Sequence, residues 1–204
     1  RAIRSPELVK ESTRQKIEQI LQQENYVYNA AAADFSRELS TLVGLIIPSV
    51  KSSIFADYID GIDSVIRKTH YSLLIGYTDF HIDEETEVVK TFLQRNVRGL
   101  ITVGIQENNS DLYRLARRNG ITVVNTREYE PDSEFHCVGF DNRQASYNMA
   151  KYLVGLGHRE VGLIMGPYSV SPRVQQRYDG YADALREAGI SVDSRYGIEK
   201  HPMF

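Results

Sequence analysis

The apolar positions change their period along the chain. From residue 42 onward, short continuous apolar runs alternate with stretches whose apolar residues recur every three or four positions. The first pattern predicts strands buried on both faces, and the second predicts helices with one buried stripe. Leu42–Ile47 is thus the first strand, and Pro48-Ser49 leads to a helix near 55–69 with Phe55, Ile59, Ile62 and Ile66 on its inner face. Tyr71–Ile75 is the second strand, followed by a helix near 84–95 built on Val88, Val89, Phe92 and Leu93. Leu100–Val103 is the third, a helix near 110–118 follows, and Thr122–Val124 and Cys137–Phe140 are the fourth and fifth. The alternation then restarts with a helix near 142–156, a strand Val161–Met165 and a helix near 173–188, before a poorly patterned tail.

Strands that alternate with amphipathic helices predict an α/β fold with parallel sheets covered on both faces. Two successive sets predict two lobes meeting near Asp141. The residues before this body differ. Ser12 or Thr13 can cap a helix carrying Ile17, Ile20 and Leu21 on one face, ending at Asn25-Tyr26. An Ala-rich segment from Asn29 to Leu39 follows. One strand–helix unit and the start of another cannot close a second lobe, so the chain reads as an internal fragment. The divisions expected are a helical piece over 1–28, a tether over 29–41, a first lobe over 42–140 and a partial second lobe over 141–204.

Composition narrows the picture in three ways. At 204 residues and 42% hydrophobic content the chain is long enough for a substantial core. Its net charge of −3 gives no broad basic surface for nucleic acid, so any DNA contact must be local and shaped. The lone Cys137 has no internal disulfide partner and reads as a buried packing residue. No apolar run reaches the roughly eighteen residues of a membrane span, and the opening residues do not read as a signal peptide. A cytoplasmic location is expected.

Three segments carry a resemblance. The first is Tyr26-Val27-Tyr28-Asn29-Ala30-Ala31-Ala32-Ala33-Asp34-Phe35. The second is Val138-Gly139-Phe140-Asp141-Asn142, followed by Leu156-Gly157-His158-Arg159-Glu160-Val161. The third is Gly166-Pro167-Tyr168-Ser169-Val170-Ser171-Pro172-Arg173, then Arg177-Tyr178-Asp179-Gly180-Tyr181. Together they resemble the LacI/GalR family of bacterial repressors, over essentially the whole chain. The resemblance implies periplasmic-binding-protein-like two-lobed parallel sheets, with the second lobe truncated, behind a hinge and the remnant of a helix-turn-helix headpiece.

What the family implies for residues is specific. Asn29 caps the hinge turn, Ala32 allows close approach to a minor groove, and Phe35 stands where an apolar residue wedges between base pairs. Tyr28 replaces the family's usual proline, and Asp34 brings a negative charge near phosphates. Ile54 and Phe55 match an apolar pair that flanks bound effector, and Arg177 matches a ligand-contacting arginine. Partners implied are double-stranded operator DNA, a sugar-like effector and a second copy of the chain, with no cofactor and no membrane.

Open parallel sheets bind ligands beyond the carboxyl ends of their strands. That rule selects Ser49–Phe55, Tyr77-Thr78-Asp79, Gly104-Ile105, Asn125-Thr126-Arg127 and Ser169–Arg173, so Tyr77, Asn125 and Ser171 join the candidate site. Many family members are acidic at the position of Arg127. Here Arg127, Arg173 and Arg177 are expected to converge, with Lys51 nearby. An uncompensated buried charge costs about 3–5 kcal/mol. Either Asp79, Glu128 and Asp141 neutralise the arginines or the ligand brings an anion, and arginine forks match carboxylate and phosphate. An aldonate, a hexuronate or a sugar phosphate fits.

Other classes have less support. The histidines at 70, 81, 136, 158 and 201 lack metal-ligand spacing, and no nucleophile elbow or phosphate loop is present. Gly155-x-Gly157 follows a helix and precedes a strand, the wrong order for a dinucleotide turn. Asp57, Asp60 and Asp63 read as a solvated helix face. An enzyme is therefore not expected. A periplasmic sugar-binding protein shares the two-lobed fold but not the capped helix or the hinge.

Overall fold

The computed structural model describes residues 6–26, 40–105, 109–166 and 171–192, and the strand at 197–199. The hinge residues Asn29, Ala32 and Phe35 lie outside the described residues, as do Pro167–Val170 of the loop expected near the effector. The chain divides into two compact units, residues 1–40 and 41–204.

The first unit contains a 3-10 turn, Pro6–Leu8, and helix α1, Glu11–Gln23. Neither Ser12 nor Thr13 caps α1. Lys10 is the cap residue, and it makes no side-chain capping bond. Glu11 opens the helix instead, with its carboxylate at the positive end of the helix dipole and accepting from Arg14 and Gln15 at 2.9 Å each. No residue of α1 is buried, and Ile20 is 57% exposed.

The second unit begins with β1 (Leu42–Ile47), α2 (Ser53–Ile66), β2 (Ser72–Tyr77) and α3 (Ile82–Gln94). It continues through β3 (Gly99–Val103), α4 (Ser110–Arg118), β4 (Thr122–Thr126) and β5 (His136–Val138). These strands form one parallel sheet in the order β2-β1-β3-β4-β5. Beyond it come α5 (Asn142–Gly155), β6 (Leu163–Met165), α6 (Pro172–Glu187) and β7 (Gly197–Glu199), with β6 and β7 paired in parallel.

Strand parity explains why the run at β1 does not alternate with polar residues. Leu45 and Ile47 pack on one face with Phe55 and Val103, beneath α2. Ile46 packs on the other face with Val89, Phe92, Leu100 and Tyr113, beneath α3 and α4. Both faces are covered, so both parities must be apolar. Because β1 lies between β2 and β3, the chain reverses direction across the sheet there and leaves a crevice beyond the carboxyl ends of β1 and β3.

Several boundaries differ from the sequence reading, each with a local cause. Helix α3 starts at Ile82 rather than near 84, which puts Asp83, Glu84 and Glu85 in its first turn at the positive end of the helix. Strand β5 ends at Val138 rather than Phe140, because the Val138 carbonyl accepts the Arg127 N–H at 2.8 Å. Strand β6 starts at Leu163 rather than Val161, whose carbonyl accepts the Tyr181 hydroxyl at 2.5 Å. The tail strand β7 was not anticipated. Cys137 is half-buried on the β5 edge strand, not packed in the core.

Helices α5 and α6 hold the second group of elements together, over a core of Ala150, Val161, Tyr181, Ala182, Ala184 and Leu185. Gly180 makes their close crossing possible. A Cβ there would collide with the Arg143 carbonyl oxygen, which outweighs the cost of about 1 kcal/mol of glycine inside a helix. Arg143 Nε also bonds Asp183 Oδ2 at 3.1 Å across the pair. Among the described residues, no helix is long and apolar enough to cross a membrane.

Candidate functional site

Four segments end at the crevice. The carboxyl end of β1 supplies Ile46, Ile47 and Pro48, and that of β3 supplies Thr102, Val103 and Gly104. The loop after β2 and the first turn of α3 add Thr78, Phe80, His81, Ile82 and Glu85. Arg173, from the first turn of α6, completes the lining.

The strand-end polar groups are tied to one another. Asn125, only 5% exposed, accepts the Gly104 N–H at 2.9 Å and fixes that turn, where Gly104 adopts φ +79°. Only glycine holds such a backbone without strain, and the Arg173 guanidinium lies where a Gly104 side chain would begin. Thr126 donates to the Thr102 carbonyl at 2.7 Å and meets the Tyr58 hydroxyl at 2.6 Å. Burial raises the Tyr58 phenol, against the bond from Thr126 and the charge of Arg127.

Glu85 was missed by the sequence reading. Counted from the sequence, it is one of three acids in a helix's first turn, an ordinary solvated position. In the fold it is 8% exposed and faces the crevice. Tyr113, fully buried on α4, donates to Glu85 Oε1 at 2.7 Å, and Tyr113 and Thr102 hydroxyls lie 3.3 Å apart. Burial pushes the Glu85 carboxyl above its usual range, while Tyr113, Asn109 and the Arg173 charge act in the opposite direction. The acidic run directly after a strand end was the available signal; what it lacked was any indication of burial.

The three arginines do converge. Arg127 leaves β4 with φ +63°, and its guanidinium sits 5.6 Å from the Phe55 ring centroid. Phe55 is therefore buried under Arg127, 7% exposed, and not itself open for stacking on a sugar. Arg177 Nε donates to Asn142 Oδ1 at 2.9 Å, and Asn142, 1% exposed, donates to the Arg127 carbonyl at 3.3 Å. Arg173 Nε donates to Ser171 Oγ at 3.1 Å, the same oxygen that caps α6 by accepting the Arg173 N–H.

Electrostatics link these groups. Burial draws the Arg173 pKa below the ordinary value; Glu128 opposes the fall, Arg127 and Arg177 deepen it, and Glu85 opposes it again. Burial and Arg127 lower Arg177 in the same way. None of the three has a carboxylate within 4 Å among the described residues. The Arg173 Nη1 is buried with no hydrogen-bond partner.

The expected neutralisers are only partly right. Glu128, 6% exposed, does act on Arg173 and accepts from Gln176 at 3.2 Å. Asp141 instead caps α5, accepting the Gln144 N–H at 2.9 Å, and Asp79 is exposed. Lys51 is exposed in the turn after β1. Ile54 and Tyr77 are 49% and 60% exposed and do not line the crevice.

The description "Periplasmic binding proteins and sugar binding domain of LacI family" matches residues 40–200. The HTH-type transcriptional regulator IdnR of Escherichia coli K12 is 32% identical over 191 residues, covering 94% of this chain and 57% of that protein. The HTH-type transcriptional repressor CytR of the same strain is 28% identical over 96% of this chain and 57% of CytR. The chain therefore spans a little over half the length of these curated relatives. A LacI-family transcriptional regulator from Silicibacter pomeroyi superposes with a TM-score of 0.78 at 25% identity, over 90% of this chain and 55% of that one. With a family match across most of its length, two parallel sheets and a crevice at the strand ends, the chain belongs to the periplasmic-binding-protein and LacI sugar-binding-domain family.

Proposed function

We propose that this chain is the effector-sensing part of a LacI-type transcriptional regulator, and that its effector is an anionic sugar derivative. The observation that carries the ligand class is the Arg173 Nη1, buried without a partner beside two further arginines that lack carboxylates within 4 Å among the described residues. A buried unsatisfied donor costs about 1–3 kcal/mol. A bound carboxylate or phosphate oxygen removes that cost and takes a charge-assisted bond in its place.

In this reading Arg127, Arg173 and Arg177 grip the anion, while Asn125 and Ser171 hold the turn and the helix start that aim them. Phe55 acts through Arg127. Ile54 and Tyr77 offer exposed apolar surface to a sugar ring at the rim. Effector bound between the strand ends and α6 changes the angle between the two groups of elements, which is a differential interaction of the kind a two-state switch requires.

The regulator reading draws on relatives named as HTH-type regulators and repressors. Asn29, Ala32 and Phe35 are proposed to enter the operator minor groove from a homodimer, because paired hinges on one duplex require two-fold symmetry. The protein then works in the cytoplasm, where the DNA is.

The test is thermal-shift screening against neutral sugars, their acids and their phosphates, with Arg177→Ala as control. Stabilisation by an acidic sugar that disappears in the variant supports the proposal. Stabilisation by a neutral sugar alone removes the anion site and leaves Arg127 and Arg173 as structural residues.

A further inference from the structure

Five charged groups sense one another around the crevice: Arg127, Arg173 and Arg177 against Glu85 and Glu128. Both carboxylates are almost fully buried, so bulk solvent and salt screen them poorly. Three positive and two negative charges leave an excess of one positive charge. Resting on the effector reading above, we propose that the site selects a hydroxylated monocarboxylate, an aldonate or a hexuronate, over sugar dianions, and that Glu85 is the residue that sets this preference.

The argument is one of charge balance at short range. One carboxylate brings the sum to zero. An aldarate carries two charges, and a phosphate monoester carries about −1.5 to −2 near neutral pH, so each overshoots. The surplus negative charge is then confined in the cleft that Glu85 and Arg173 both line. Juxtaposed like charges in a poorly screened site cost free energy, and such repulsion is a common source of specificity. Glu128 contributes to the balance but is bonded by Gln176, whereas Glu85 reaches the crevice from the opposite wall.

Glu85 also ties α3 to α4 through Tyr113, so the test must separate charge from architecture. Glu85→Gln keeps the shape and an acceptor for the Tyr113 hydroxyl while removing the charge. Tyr113→Phe removes the hydrogen bond and keeps the charge. Binding is measured by calorimetry to aldonate–aldarate pairs of one carbon chain, D-gluconate with D-glucarate and D-galactonate with galactarate, together with D-glucuronate, D-galacturonate, glucose 6-phosphate and the neutral hexoses.

The wild type should bind a monocarboxylate about tenfold or more tightly than the matching dianion, about 1.4 kcal/mol, and Glu85→Gln should largely erase that ratio. Tyr113→Phe should leave the ratio intact. A wild type that prefers the dianion overturns the proposal, and so does a Glu85→Gln protein with an unchanged ratio. Equal narrowing by Tyr113→Phe and Glu85→Gln assigns Glu85 a structural role and overturns it as well. Binding of neutral hexoses alone is a separate result, because it removes the anionic-effector reading and this selectivity together. If Glu85→Gln fails to fold, the wild-type ratio still decides the charge preference.

Discussion

The two walls of the crevice treat buried polarity differently. On the strand side Asn125, Thr126, Thr102 and Glu85 each have a named partner within 3.3 Å, and those partners join strand to strand or helix to sheet. On the α6 side Arg173 keeps one buried nitrogen with no partner, and Arg127 and Arg177 lie close enough to depress it further. Satisfied polar groups rigidify a scaffold, whereas an unsatisfied one is a cost that persists only where something else requires it. The strand wall is therefore built for position and the α6 wall for a ligand. Both are fixed by backbone features that leave little freedom, Gly104 on one side and Gly180 on the other.

The harshest way to break the contrast is to move the α6 wall. Gly180→Val forces a side chain into the Arg143 carbonyl and should cost about 3 kcal/mol or more, read by urea unfolding. Arg173→Met separates the walls more sharply. It should abolish anion binding, a loss of about 2–5 kcal/mol, while raising the stability of the unliganded protein by about 1–3 kcal/mol, because the unpaired donor is gone. A variant that gains stability as it loses its ligand is the signature of a functional residue.

Glu85 sharpens the comparison through pH. Its folded pKa is raised, so its contribution to stability is complete below the ordinary glutamate value of about 4.3 and is lost as pH rises through the folded value. Glu85→Gln has no such titration. Its melting temperature relative to wild type should therefore climb as pH rises across that window, and a flat difference would contradict the assignment. The smallest effect belongs to the strand wall. Tyr58→Phe deletes one hydrogen bond to Thr126, which still donates to Thr102, and should cost about 0.5–1.5 kcal/mol without altering ligand affinity.

The fold was largely legible because period and parity are local. Leu42–Ile47 and the helix at 110–118 have the boundaries the sequence suggests, since apolar runs and stripes are set by which faces a sheet covers. Boundaries failed where a distant group decided them. Val138 ends its strand because Arg127 takes its carbonyl, and Val161 stays outside β6 because Tyr181 takes its carbonyl. The convergence of Arg127, Arg173 and Arg177 was legible from the strand-end rule, which holds whatever the side chains are. Glu85 was not, because burial of one acid in a first turn of three is a tertiary outcome. The exposure of Ile54 and Tyr77 and the burial of Phe55 under Arg127 were hidden for the same reason.

Arg173→Met in parallel with wild type is the most direct measurement of the central claim, that the α6 wall keeps an arginine unpaired for an anionic ligand. Calorimetric titration with an aldonate and urea unfolding without it give the two halves. The account predicts that the variant is at least as stable as wild type and does not bind. A variant that binds with unchanged affinity, or that loses stability when unliganded, would show instead that Arg173 is a structural residue already satisfied by the fold.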